Sequence, residues 1–103
     1  MTEQTYAGTI VACNAEGYLI EMNQWNKGIG EAIAAEEEIA MTEKHWEVIE
    51  FLREQVRNDV ALTIRKIGKS GVVSIKEFYA LFPDGPLKKA SKIAGIPKPV
   101  SCI

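Results

Sequence analysis

At 103 residues and 11.4 kDa the chain has room for one compact domain and little else. Its residues are 47% apolar and 25% charged with two cysteines, which excludes a disordered tail, a collagen-like repeat and a disulfide-dense miniprotein. The net charge of −2 averages two unlike halves: residues 1–60 hold 12 acids against 4 bases, and residues 61–103 hold 8 bases against Glu77 and Asp84.

The elements follow in chain order. Tyr6, Thr9, Ile10 and Val11 favour strand, Asn14-Ala15-Glu16-Gly17 has turn chemistry, and Tyr18-Leu19-Ile20 resumes the β pattern, so a hairpin is predicted over about 5–20. Asn23 is a candidate N-cap for a helix through Trp25, Ile29, Ile33 and Ala34 that frays at the solvated run Glu36-Glu37-Glu38, its early turns weakened by Gly28 and Gly30. Thr42 caps the strongest helix, in which Trp46, Ile49, Leu52 and Val56 recur at helical spacing to about Asn58; His45 is read as a packing or capping residue. A short helix from Ala61 to Ile67 ends at Gly68. Ser74-Ile75-Lys76-Glu77 is a capping box for a helix through Phe78, Leu81 and Phe82, broken by Pro83-Asp84-Gly85. Pro86 opens a last helix, Leu87 to Ala94, with Gly95 as its C-terminal cap. The fold class is therefore mainly α, about five helices with a small N-terminal β-hairpin. Residues 1–95 form one domain, and the proline-stiffened residues 96–103 form an extended arm that cannot continue the helix.

No basic stretch followed by an apolar core opens the sequence, and no apolar run nears the ~20 residues of a bilayer span. The expected compartment is the cytoplasm, without membrane insertion and with reduced thiols. Generic sites are poorly supported. Gly68-Lys69-Ser70 ends like a phosphate-binding loop, but Thr63 stands where its first glycine belongs. One histidine and two distant cysteines cannot supply four zinc ligands, so neither metal nor cofactor is expected. The segment from the short helix to the helix after Ser74 could imitate a helix-turn-helix, yet Lys76 is the only base of its second helix, which makes nucleic-acid binding a minor alternative.

Cysteine usage is more informative. Cys13, beside the expected turn with no nearby base, reads as a packing residue. Cys102 lies in the Pro97–Pro99 arm, where a thiol can reach a partner's site and take part in exchange at sulfur. Lys98 and the basic segment favour its thiolate, while a following C-terminal carboxylate disfavours it. The residues leave two readings open: a reaching carrier thiol, or an end whose cysteine is incidental.

Leu81-Phe82-Pro83-Asp84-Gly85-Pro86, Ala90-Ser91-Lys92-Ile93-Ala94-Gly95-Ile96-Pro97-Lys98-Pro99 and Cys102 together resemble the DsrC/TusE sulfur-carrier family. Upstream, Gly17-Tyr18-Leu19, Trp25, Thr42-x-x-His45-Trp46 and Phe51-Leu52-Arg53 fit the same pattern in the same order. The resemblance implies an orthogonal helical bundle with a C-terminal arm whose Cys102 carries persulfide sulfur between larger partners, a sulfurtransferase-type carrier with no small-molecule active site of its own. Members that work with dissimilatory sulfite reductase have a second arm cysteine where this chain has Ser91, and a hydroxyl cannot form a disulfide. The resemblance thus points to the single-cysteine branch, in which a donor relay protein supplies sulfur and a tRNA thiolase accepts it. The alternative partner is a sulfite-reductase-like enzyme. Lys98, Arg65, Lys88, Lys89 and Lys92 are the supporting candidates, near the arm or on a docking surface. Arg65 is the least secured by the pattern, because a proline usual three positions earlier is Leu62 here.

Overall fold

The structure of the protein, a computed structural model, describes residues 2–60 and 62–96. Strands β1 (Thr2–Tyr6) and β2 (Thr9–Cys13) form an antiparallel hairpin in register from Thr2↔Cys13 to Tyr6↔Thr9. Five helices follow: α1 (Lys27–Glu36), α2 (Glu43–Arg57), α3 (Ile64–Lys69), α4 (Ile75–Leu81) and α5 (Pro86–Ala94). The hairpin lies earlier than the expected 5–20. Its turn is Ala7-Gly8, both at positive φ (51° and 78°), as a two-residue loop matched to strand twist requires. The Asn14–Gly17 turn is real but is a second bend: Asn14 Oδ1 accepts from the backbone of Glu16 and Tyr18, and Leu19 returns as a single bridge to Cys13. Alternation along β2 sends Val11 and Cys13 into the core and leaves Ile10 outside.

Helix α1 begins after Asn26, whose Oδ1 accepts from Ile29 N at 2.9 Å, and not after Asn23. Residues Met22–Gln24 form a 3-10 turn instead. The delay has a packing reason. A side chain at Gly30 would press on the ring of Trp25 and the carbonyl of Ile93, so Gly30 lets Trp25 fold back between α1 and α5. Helix α3 is also shifted: Thr63 Oγ1 accepts from Lys66 N, which places its start at Ile64 and its end at Lys69. Ala61, the expected start, lies outside the described residues. The capping box of α4 is present in both directions, Glu77 N to Ser74 Oγ at 3.1 Å and Ser74 N to Glu77 Oε1 at 3.3 Å. Helix α5 packs against both α1 and α2. Between them lies a core that includes Ile29, Ile33, Ile49, Leu52, Phe78, Leu87 and Ile93, all buried.

His45 joins two helix ends. Its Nδ1 accepts from Thr42 N at 3.1 Å and meets Thr42 Oγ1 at 2.8 Å, while Nε2 lies 2.9 Å from Leu81 O. A ring carrying its proton on Nε2 satisfies all three contacts, and it stands edge-on to Phe82 at 5.1 Å. One side chain therefore caps the start of α2 and the last turn of α4. His45→Ala is expected to cost about 2 kcal/mol, from the lost hydrogen bonding of two ring nitrogens at about 1 kcal/mol each. For a domain of this size that lowers Tm by roughly 10 °C in a thermal melt.

Tyr6 closes the hairpin onto α1, its hydroxyl donating to Glu36 Oε1 at 3.3 Å. Burial first, and then the Glu36 carboxylate, push its pKa up to about 12. Because the folded value lies above the ordinary one near 10, keeping the phenol neutral stabilises the fold fully below pH ~10, and this contribution disappears as pH rises through 12. Urea titrations at pH 9 and pH 11.5 are expected to show a smaller alkaline loss of stability for Tyr6→Phe than for the wild type. A residual loss remains from Cys13, whose thiol is also shifted upward, chiefly by burial.

Candidate functional site

The described chain stops at Ile96, six residues before Cys102, and its last turn is held with unusual thoroughness. A helix leaves its final carbonyls without intrahelical partners. Here two distant side chains supply the donors. Trp25 Nε1 donates to Ile93 O at 2.7 Å, and Arg53 from α2 donates through one terminal nitrogen to Ala94 O at 2.6 Å. The other terminal nitrogen of Arg53 donates to Met22 O at 3.2 Å, in the loop that carries Trp25. The guanidinium also stacks on the Trp25 ring, 4.2 Å from its centroid. Arg53 is 5% exposed, and burial pulls its pKa down from the usual arginine value. Among the described residues its Nε has no hydrogen-bond partner.

Gly95 completes this root. It sits at φ 66° and passes its N–H to Ser91 O and Lys92 O, while Ile96 N donates to Ser91 O at 3.2 Å. A side chain at Gly95 would overlap Trp25 from Cβ to the ring. Ile96, beyond the helix, is fully buried. Trp25, Arg53 and Gly95 thus fix the position of the last described turn.

The sequence candidates are distributed as follows. Lys98 and Cys102, with Pro97 and Pro99, lie outside the described residues. Ser91 is fully buried on α5, and among the described residues its hydroxyl has no partner. Lys88, Lys89 and Lys92 come together at a cavity of about 400 Å³, but Glu16, Glu37 and Asp84 line it too. Lys92 pairs with Glu37 at 3.6 Å and stands 5.6 Å over the Tyr18 ring. Mixed charge makes this a weaker anion surface than three clustered lysines suggest. Arg65 is exposed on α3 and does not line that cavity. Cys13 is sealed in the core at the end of β2. Among the described residues no group of three or more His, Cys, Asp or Glu could hold a metal ion, and no helix is long and apolar enough to cross a membrane.

Arg53 escapes residue-by-residue reading because an arginine inside a polar helix looks like a solvated charge. Its position was nonetheless a signal. It lies four residues after Ile49 and beside Leu52, on the stripe that faces the core.

The model for "DsrC like protein" matches residues 5–103, which spans the bundle, its root and Cys102. The chain belongs to the DsrC-like family. Within that family it is 41% identical over 107 residues to the Sulfurtransferase TusE of Salmonella typhimurium, covering 95% of this chain and 97% of the relative. The solution structure of Allochromatium vinosum DsrC has a TM-score of 0.82 and 35% identity, with 98% of this chain and 97% of that one covered. The oxidized gamma-subunit of the dissimilatory sulfite reductase from Archaeoglobus fulgidus has a TM-score of 0.82 at 31% identity, covering 99% and 100%. The DsrC-like bundle of five helices with an N-terminal hairpin is the fold that the sequence led us to expect.

Proposed function

We propose that this DsrC-like chain is a sulfur-relay carrier whose working group is Cys102. The observation that carries the reading is the contrast between its two thiols. Cys13 is 0% exposed and its ionisation is disfavoured by burial, which leaves Cys102 as the cysteine suited to exchange. In the loading step the Cys102 thiolate attacks the outer sulfur of a donor protein's persulfide. A bond forms between Cys102 Sγ and that sulfur, the donor's S–S bond breaks, and the donor leaves as a thiolate with no net oxidation. Delivery repeats the step in the other direction, the acceptor's thiolate attacking the outer sulfur on Cys102.

A fixed root suits such a cycle. From Ile96 the six residues to Cys102 reach at most roughly 20 Å at ~3.3 Å per residue, so a docked partner needs its own sulfur within that distance of a defined point. The name Sulfurtransferase TusE among the relatives supports a role in sulfur transfer; on this reading a relay protein donates the sulfur and a tRNA thiolase accepts it, within the cytoplasm. Residues 97–103 serve as the arm, and Lys98 with Lys88, Lys89, Lys92 and Arg65 provides positive potential along the arm or toward a docked partner. Incubation with a persulfide-loaded donor, followed by intact-mass spectrometry, is expected to show a gain of about 32 Da that is lost on adding an acceptor thiol enzyme. A chain that never gains sulfur overturns the reading.

A second reading is favoured by the likeness, over 99% of this chain, to the gamma-subunit of the Archaeoglobus fulgidus dissimilatory sulfite reductase: a partner of a sulfite-reductase-like enzyme. It requires stable association, and affinity purification that recovers no siroheme enzyme eliminates it. A nucleic-acid regulator would instead show salt-sensitive DNA binding that survives Cys102→Ser.

A further inference from the structure

The sequence reading gives the basic half the docking role, but the structure offers a better-formed surface on the acidic half. Glu43, Glu47, Glu50 and Glu54 recur at i, i+4, i+7 and i+11 along α2, a single stripe about 16 Å long at 1.5 Å per residue. They border an open cleft of about 790 Å³ whose apolar lining is Trp46, Phe51 and Val72, all half-buried. The cleft already receives two of the chain's own ammonium groups. Lys27 Nζ stands 5.0 Å over the Trp46 ring, and Lys44 Nζ donates to Val72 O while pairing with Glu47 at 3.7 Å. Among the described residues Glu43, Glu50 and Glu54 have no ion-pair partner. Cations are thus accommodated on both the aromatic face and the carboxylates, and two lysines leave the four glutamates in excess.

We propose that this cleft docks a basic amphipathic helix of a relay partner. Lys or Arg side chains at helical spacing would meet the glutamate stripe, and one bulky apolar residue would seat against Trp46, Phe51 and Val72. The carboxylates repel a nucleic-acid backbone. A second copy of this chain fits less well, because its lysines on α5 are interleaved with Glu16, Glu37 and Asp84 and would bring acid against acid. Only the identity of the helix's owner as a relay partner rests on the carrier reading.

The test titrates the full chain with a synthetic 15-residue amphipathic helix bearing four arginines at the stripe's spacing and one central leucine. Heteronuclear NMR follows the Trp46 indole and the α2 amides. Binding is expected to shift Trp46 and to weaken with salt. It should fall about tenfold or more in the Glu47→Lys/Glu50→Lys variant, which should in turn bind the same helix with its arginines replaced by glutamate. Equal binding of both peptides by the wild type, or shifts confined to α5, overturns the proposal. So does sedimentation showing a wild-type dimer that the variant abolishes. Cys102→Ser must bind the peptide as the wild type does. A chain that binds the peptide but never loads sulfur refutes the carrier reading and leaves the docking cleft standing.

Discussion

Cys102→Ser is expected to abolish persulfide loading, whereas Cys13→Ser leaves it intact. The two thiols differ in access and in acidity. A fully buried thiol reacts only when the structure opens around it, and an opening of about 4 kcal/mol, within the range for sub-global unfolding, slows exchange roughly 1000-fold. Burial also raises the Cys13 pKa, so the folded population holds it as the unreactive thiol. Intact-mass spectrometry on the two variants, each exposed to the same persulfide donor, decides the matter. A gain of about 32 Da in Cys102→Ser, matched to the wild type in rate, would place the carrier sulfur elsewhere.

The second large effect is expected at Arg53. Replacing it with methionine leaves Ala94 O and Met22 O without their donors and removes the cation from the face of Trp25. Hydrogen bonds from a charged donor contribute about 1.5–3 kcal/mol each, and a desolvated cation–π contact about 2 kcal/mol. Against this stands the cost of burying a guanidinium whose Nε is unpaired, which the substitution relieves. The net loss should be about 3 kcal/mol, a fall in Tm of roughly 12–20 °C. Arg53→Lys should recover little of it, because an ammonium on a flexible stem cannot make the two-pronged contact to carbonyls from two separate segments while lying flat on an indole. A methionine variant melting within a few degrees of the wild type would mean that desolvation cancels the contacts and that the root is held by Trp25 and Gly95 alone.

The parts of this fold that could be read from the sequence are those specified by a few neighbouring residues. Ser74 with Glu77, Thr42 with His45, and Pro86 with Gly95 each solve a local problem of orphaned backbone groups, and the helices start or stop where they stand. Reading fails where the deciding contact is remote. The hairpin turn at Ala7-Gly8 carries none of the asparagine or aspartate chemistry that advertises a tight turn, so the more conspicuous Asn14–Gly17 drew the prediction. The start of α1 depends on how Trp25 packs over Gly30 against α5, a contact 68 residues long in sequence through Trp25 and Ile93. Cys102 stood out for its place in a proline-rich arm, whereas Arg53 needed three dimensions to show what an isolated charge on the core face was for.

The partners that finish α4 and α5 come mostly from earlier in the chain: His45 for Leu81, Arg53 for Ala94, Trp25 for Ile93. These closures span 36, 41 and 68 residues, so each must wait for a long loop to close before it contributes anything. During synthesis the Trp25 loop and α2 emerge well before the segments they will terminate, and the C-terminal turn of α5 is among the last native features that can assemble. The last turn of α5 is therefore fully held only in a chain whose folding has run to completion.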